Sequence, residues 1–245
     1  MGETIQQQSS LLVEVEGVTR DYRQGEVLVR ALRGIDLVIR AGELTAVAGQ
    51  SGSGKTTLLN IISGLDQPTK GRVVVDGHEV TGMSRAQMSR LRLNRIGFVF
   101  QAYNLLPVLT AYENAEYVLM MQGMPLRERR PRVMRLLRQV GLEGMEHRYP
   151  RELSGGQQQR VAIARAMASE PALVLADEPT ANLDSATADE LLELMARLNE
   201  EKGITFLFST HDRAVMRRSR RLVLLKDGTV QHDGAPSVID GGAAA

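Results

Sequence analysis

Two hydrophobic rhythms alternate along the chain, and their order predicts its architecture. Over residues 12–18 apolar and acidic positions alternate, with Val13 and Val15 set against Glu14 and Glu16. A period of two predicts a half-exposed strand. Leu44–Ala48 is a short apolar run that enters a glycine-rich loop, after which Leu58, Leu59, Ile61 and Ile62 carry helical spacing. Residues 71–76 predict another strand, turned by Asp76-Gly77. Ser84 and Gln87 have capping-box spacing and open a helix reaching about residue 94, and Ile96–Phe100 follows as a buried strand.

Strand signals then vanish until about residue 160. Thr110 and Glu113 form a second capping-box pattern ahead of Ala115, Val118 and Leu119. A further helix follows Pro125, with Val133, Leu136, Leu137 and Val140 on one face. The alternation resumes with a buried strand at 172–176 and an amphipathic helix carrying Ala188, Leu191, Leu192, Met195 and Leu198. Strands at 205–208 and 222–225 complete it, the last closed by Lys226-Asp227-Gly228. The pattern predicts an α/β fold of parallel βαβ units with helices on both sheet faces. A single domain spans 11–240, with a core of 11–100 and 160–240 and an inserted helical lobe at 101–159. Residues 1–10 and 241–245 read as flexible ends.

Composition narrows the function. The 245 residues are 43% hydrophobic, ample for a packed core, and the formal net charge of +1 supplies no field that would gather nucleic acid. There is no cysteine, which excludes a disulfide framework, a thiol nucleophile and Cys-ligated zinc. No apolar run approaches the ~18 residues of a spanning helix, and residues 1–10 show no secretory h-region. The chain is therefore expected to be soluble and to need another protein to hold it at a membrane. Arg127, Arg129, Arg130, Arg132, Arg135 and Arg138 form a basic stretch, read as a solvated helix face with anionic lipid contact as the alternative. His78, His147 and His232 lack ligand spacing and read as surface, and the eleven methionines as packing.

The chemistry concentrates in three segments. Gly49-Gln50-Ser51-Gly52-Ser53-Gly54-Lys55-Thr56 fits G-x-x-x-x-G-K-[ST] after a strand and before a helix. Its glycines let backbone N–H groups converge on phosphate oxygens, and the helix start adds a positive dipole end. Lys55 is placed to reach the β- and γ-phosphates, the Thr56 hydroxyl to ligate Mg²⁺, and Thr57 lies alongside. Residues 173–178 form an apolar strand ending in two carboxylates. Asp177 is the candidate Mg²⁺ ligand, and Glu178 the group that polarises an attacking water. Ser154, Gly155, Gly156 and Gln157 start a helical stretch and make a second anion cradle. One ATP site does not need two cradles from one chain. A head-to-tail pair, each chain's second cradle closing on its partner's γ-phosphate, uses both.

In this order the segments resemble those of ABC ATPases over nearly the whole chain. The resemblance implies a P-loop NTPase core with a RecA-like parallel sheet, an N-terminal antiparallel β subdomain and an inserted helical subdomain. Gln101 matches the Q-loop glutamine near Mg²⁺ and the γ-phosphate, Asp184 the D-loop aspartate that meets the partner subunit, His211 the switch histidine, and Tyr22 the aromatic on which adenine stacks. Residues 101–107, 109–114 and 176–184 look like the lipoprotein-release and macrolide-export (LolD/MacB-type) group, with Ala181 where a glycine is frequent. That group implies an ATPase on the cytoplasmic face of the inner membrane, paired with a permease. The apolar segment Tyr103, Leu105, Leu106, Pro107, Val108 and Leu109 is the candidate permease-docking surface, with packing at the lobe junction as the alternative. A different class, an ABC ATPase acting on nucleic acid or the ribosome, lacks support from charge, zinc cysteines or a long coiled-coil insertion. A GTPase lacks any Asn-Lys-x-Asp segment.

Overall fold

The structure, a computed structural model, describes residues 10–25 and 27–239; the expectations for the chain ends fall outside that range except at Ser10. The elements run β1 (Leu11–Gln24), β2 (Val27–Arg40), β3 (Leu44–Ala48), α1 (Lys55–Ile62), β4 (Lys70–Val75), β5 (His78–Glu79), α2 (Arg85–Arg95) and β6 (Ile96–Phe100). After these come α3 (Ala111–Met121), α4 (Leu126–Gln139), a 3₁₀ turn (Pro150–Glu152), α5 (Gly155–Met167), β7 (Leu173–Asp177), α6 (Ser185–Lys202), β8 (Thr205–Thr210), α7 (Arg213–Arg218), β9 (Arg221–Lys226) and β10 (Thr229–Gly234). The Ser84 and Thr110 capping boxes both form, each hydroxyl accepting from the N3 amide while the Gln87 or Glu113 side chain accepts from the cap.

The strands form two sheets. One is antiparallel, in the order β2-β1-β4-β5; the other has six strands in the order β10-β9-β3-β8-β7-β6. Within the second, β9, β3, β8, β7 and β6 run parallel and β10 is an antiparallel edge. Its central strands β3, β7 and β8 are buried on both faces and serve two cores by alternation. Ala46, Ala48, Val174, Ala176, Phe206 and Phe208 pack with residues of α3 to α6. Val47, Leu173, Leu175, Leu207, Val223 and Leu225 pack with α1, α2 and the antiparallel sheet. Two hairpins use Asp-Gly turns with both residues left-handed, Asp76 (φ 50) with Gly77 (φ 73) and Asp227 (φ 49) with Gly228 (φ 76).

Several expectations change. β2, a 14-residue strand, and the edge strand β10 were not anticipated. In β2 only the second half alternates cleanly, with Ile35, Leu37 and Ile39 inward; Val27 to Val29 are all exposed, so the period is lost there. The basic stretch is only partly solvated: Arg129 pairs with Glu116 at 2.6 Å and Arg132 with Glu170 at 3.3 Å, both arginines half-buried. Met88, Met167 and Met195 are core, but Met120 and Met121 are exposed. His78 and His147 are exposed, whereas His232 is half-buried.

At Gly97 on β6, helix α5 packs close against the sheet. A Cβ there would lie 2.4 Å from the Ala166 carbonyl oxygen. Gly97→Ala should therefore push α5 off β6 and cost ~1–3 kcal/mol, as overpacking does. Urea unfolding checks this, and an unchanged midpoint would mean the helix yields freely.

Candidate active site

The parallel strands end together, so the loops that leave them surround one cavity of 710 Å³. Between β3 and α1 the loop is shaped by glycines. Gly52 and Gly54 adopt φ 81 and 107, conformations that cost a side chain energy. A Cβ on Gly49 would strike the Leu225 carbonyl at 2.2 Å and Ser53 Oγ at 2.6 Å. Ser53 Oγ is buried with no hydrogen-bond partner among the described residues. Helix α1 has no side-chain cap at Gly54, so its first-turn amides stay available, and Gly54, Lys55, Thr56 and Thr57 line the cavity together with Ser51 and Gly52. Lys55 is buried; its ammonium donates to the carbonyls of Gly49 at 2.8 Å and Gln50 at 3.0 Å. Two of its three protons are so used. Glycine cradle, uncapped helix start and buried ammonium suit a polyphosphate.

Thr56, in the helix after β3, and Asp177, at the end of β7, come together across β8. Thr56 Oγ1 lies 3.3 Å from both Asp177 carboxylate oxygens. Two oxygen donors with room for water and phosphate fit Mg²⁺, which usually keeps several non-protein ligands. No group of three or more His, Cys, Asp or Glu with metal-holding geometry exists among the described residues. One residue beyond Asp177, Glu178 has φ 47 and a half-buried side chain. That left-handed turn is strained for a glutamate and aims its carboxylate across β8. Its Oε1 lies 2.7 Å from His211 Nδ1, and its Oε2 accepts longer contacts of 3.4 Å from the His211 amide and the Thr210 hydroxyl. Glu178, His211 and Gln101 line the same cavity as the loop.

Other candidates lie elsewhere. Ser154, Gly155, Gly156 and Gln157 do not line their own chain's cavity. Ser154 caps α5, accepting from the Gln157 amide at 3.3 Å. Gly156 is glycine because a Cβ would meet Thr187 Cγ2 at 2.3 Å, and a Cβ on Gly155 would meet the Tyr103 hydroxyl at 2.8 Å. Asp184 caps α6 through Thr187, whose hydroxyl and amide hold its carboxyl below the usual range. Tyr22 also lies off the cavity lining. Its hydroxyl donates to Asp66 at 2.6 Å, and the Arg20 guanidinium sits 4.5 Å over its ring.

Residues that the sequence did not single out tie these parts together. Ala31 of β2 lines the cavity, and its carbonyl is where a Cβ on Gly54 would fall. Asn182 donates to the Gln101 carbonyl at 2.9 Å. Gln159, fully buried in α5, donates to the Pro179 carbonyl at 2.7 Å. A buried glutamine in the helix after the second cradle was the available signal for that tether, since buried amides need partners.

The ABC transporter family model matches residues 32–181. The chain is 50% identical over 223 residues to the lipoprotein-releasing system ATP-binding protein LolD of Anaeromyxobacter dehalogenans, covering 91% of this chain and 93% of that protein. It is 46% identical over 222 residues to the macrolide export ATP-binding/permease protein MacB of Syntrophobacter fumaroxidans, covering 90% of this chain but 31% of that protein. Among solved structures, the dimeric post-hydrolysis state of the ATP-binding cassette MJ0796 of Methanocaldococcus jannaschii, bound to ADP and Pi, superposes with a TM-score of 0.85 at 43% identity, covering 92% of this chain and 99% of that one. The chain belongs to the ABC transporter family and is an ATP-hydrolysing ATP-binding subunit of the LolD/MacB group.

Proposed function

We propose that two copies of this chain close head to tail on ATP and that hydrolysis drives a membrane permease from its cytoplasmic face. The observation that carries this reading is that the second cradle, Ser154 to Gln157, is formed and capped yet stands outside its own chain's cavity. A second copy supplies it in trans, as the dimeric MJ0796 cassette supports. Nothing in these likenesses favours a role on nucleic acid or the ribosome. No helix among the described residues is long and apolar enough to cross a membrane, so membrane coupling falls to the partner.

In this reading the loop amides and Lys55 hold the β- and γ-phosphates, and Tyr22 takes adenine on the ring face away from Arg20. Thr56 and Asp177, with Gln101 alongside, hold Mg²⁺, whose charge neutralises the phosphate oxygens. Glu178 accepts a proton from water as it attacks the γ-phosphorus in line; the bond from that phosphorus to the β–γ bridging oxygen breaks, and ADP and phosphate are the products. His211, hydrogen-bonded to Glu178, orients that carboxylate and meets the γ-phosphate. Ser154, Gly155, Gly156, Gln157 and Asp184 act on the partner's site. Loss of the γ-phosphate removes what both cradles share, and the pair opens.

The permease seat follows from an apolar groove of 410 Å³ beside Phe100, one residue before Gln101. Leu65, Leu93, Ile96, Phe98 and Val118 line it, from α2, β6, α3 and the turn after α1. Leu105 packs partly on the core, but Leu106 is 40% and Val108 77% exposed. The predicted segment, Tyr103 and Leu105 to Leu109, does not itself line the groove; an apolar groove together with exposed apolar side chains on the loop after Gln101 suits a short amphipathic helix of the permease. LolD and MacB are named for lipoprotein release and macrolide export; cargo contacts of this system lie in its permease.

Three outcomes test the reading. Lys55→Ala should lose ATPase activity, since it removes a charge-assisted phosphate contact worth ~1.5–3 kcal/mol in binding and more in the transition state; parental turnover would exclude the loop as the site. Glu178→Gln should slow hydrolysis by ~10²-fold or more and accumulate an ATP-dependent dimer in light scattering, whereas a monomer turning over at the parental rate contradicts the assignment. Val108→Asp should leave soluble ATPase activity unchanged while membrane assembly is lost; retained assembly would move the docking surface elsewhere.

A further inference from the structure

The lining of the groove beside Phe100 is apolar apart from Ser89, Ser169 and two guanidinium groups, and neither guanidinium has an acidic partner among the described residues. Arg165 of α5 donates to the Asn104 carbonyl at 2.5 Å and the Tyr103 carbonyl at 2.9 Å. Arg92 of α2 donates to the Gly64 carbonyl at 3.0 Å and the Ser89 hydroxyl at 3.2 Å. Both line the groove, and no Asp or Glu does. Elsewhere Arg20, Arg129, Arg160 and Arg221 each pair with a carboxylate. Burial lowers the pKa of both groove arginines, with no carboxylate opposing it. Each guanidinium carries five donors, and each uses two in these hydrogen bonds.

Cations held in a low-polarity groove without counter-charge are costly, and the cost falls when a carboxylate arrives with fitting geometry. A seat built for a purely apolar helix has no use for them. We propose that the permease helix seated in this groove carries an acidic side chain whose carboxylate is received by Arg92 and Arg165. The proposal rests on the docking reading above and adds what selects the occupant. Planar guanidinium forks suit a carboxylate better than a point charge does. Arg165 also pins two consecutive left-handed residues, Tyr103 (φ 58) and Asn104 (φ 48), just after Gln101. A carboxylate on Arg165 therefore bears on the turn that positions Gln101, linking occupancy of the seat to the ATP cavity.

The test uses the full-length chain in membranes of its own cells, with p-benzoylphenylalanine in place of Leu65, which is 51% exposed at the groove. Ultraviolet cross-linking and peptide mapping identify the occupant. The expected product is a cytoplasmic segment of an integral membrane protein with an Asp or Glu within about one helical turn of the cross-link. Arg92→Glu in the same protein should lower the cross-link yield ~10-fold or more, and the reciprocal acid-to-Arg change in the identified segment should restore it. Arg92→Gln replaces it, with a smaller loss, if thermal melting shows Arg92→Glu to be unfolded. A membrane-protein segment without an acid, or a yield indifferent to Arg92, overturns the charge pairing and leaves the docking reading standing. Cross-links only to lipid or to soluble protein overturn both.

Discussion

Parallel register across four strands governs this molecule. Ala48 stands opposite Thr210, Ser209 opposite Asp177, and Asp177 opposite Phe100. Adjacent strands lie about 4.8 Å apart, so segments that leave them at one level are neighbours whatever their distance in sequence. The phosphate loop, Glu178, His211 and Gln101 each follow such a strand end within a few residues. Glu178 itself takes a left-handed backbone to join them, at a cost of ~1–3 kcal/mol. Its amide donates to the Ser209 carbonyl at 2.9 Å and its carboxylate meets His211, so the strained conformer is held from both ends.

Beyond the strand ends, side chains reaching for backbone carbonyls join the segments around the site. Asn182 grips the Gln101 carbonyl, Gln159 the Pro179 carbonyl, and Arg165 the Tyr103 and Asn104 carbonyls. These link the segment before α6, the helix of the second cradle and the turn at the groove. Each of the three segments is thereby tied to its neighbour, as the proposed closure on ATP requires.

What the sequence disclosed and what it withheld divide along physical lines. The fold class was legible because buried parallel strands read as apolar runs and α2 and α3 carry local capping boxes. The loop at 49–56 and the Asp177-Glu178 pair were legible because phosphate and metal chemistry demand residue types at fixed local spacing. β2 was hidden by a protruding hairpin whose Val27, Leu28 and Val29 face solvent, although Ile35, Leu37 and Ile39 alternate. The arginines of α4 looked alike in sequence, and only tertiary contact separates Arg129 and Arg132 from the exposed ones. Arg165 reaches carbonyls 61 and 62 residues away, and no local pattern encodes that reach.

The central claim is that each ATP site is built from two chains, and the absence of cysteine permits a clean measurement. Two variants are prepared in a Glu178→Gln background, one with Ser51→Cys and the other with Ser154→Cys, then mixed with a short bis-thiol cross-linker. The account predicts a cross-linked heterodimer when ATP and Mg²⁺ are present, none without nucleotide, and none from either variant alone. A product from Ser51→Cys alone, or a heterodimer indifferent to ATP, would contradict the head-to-tail site.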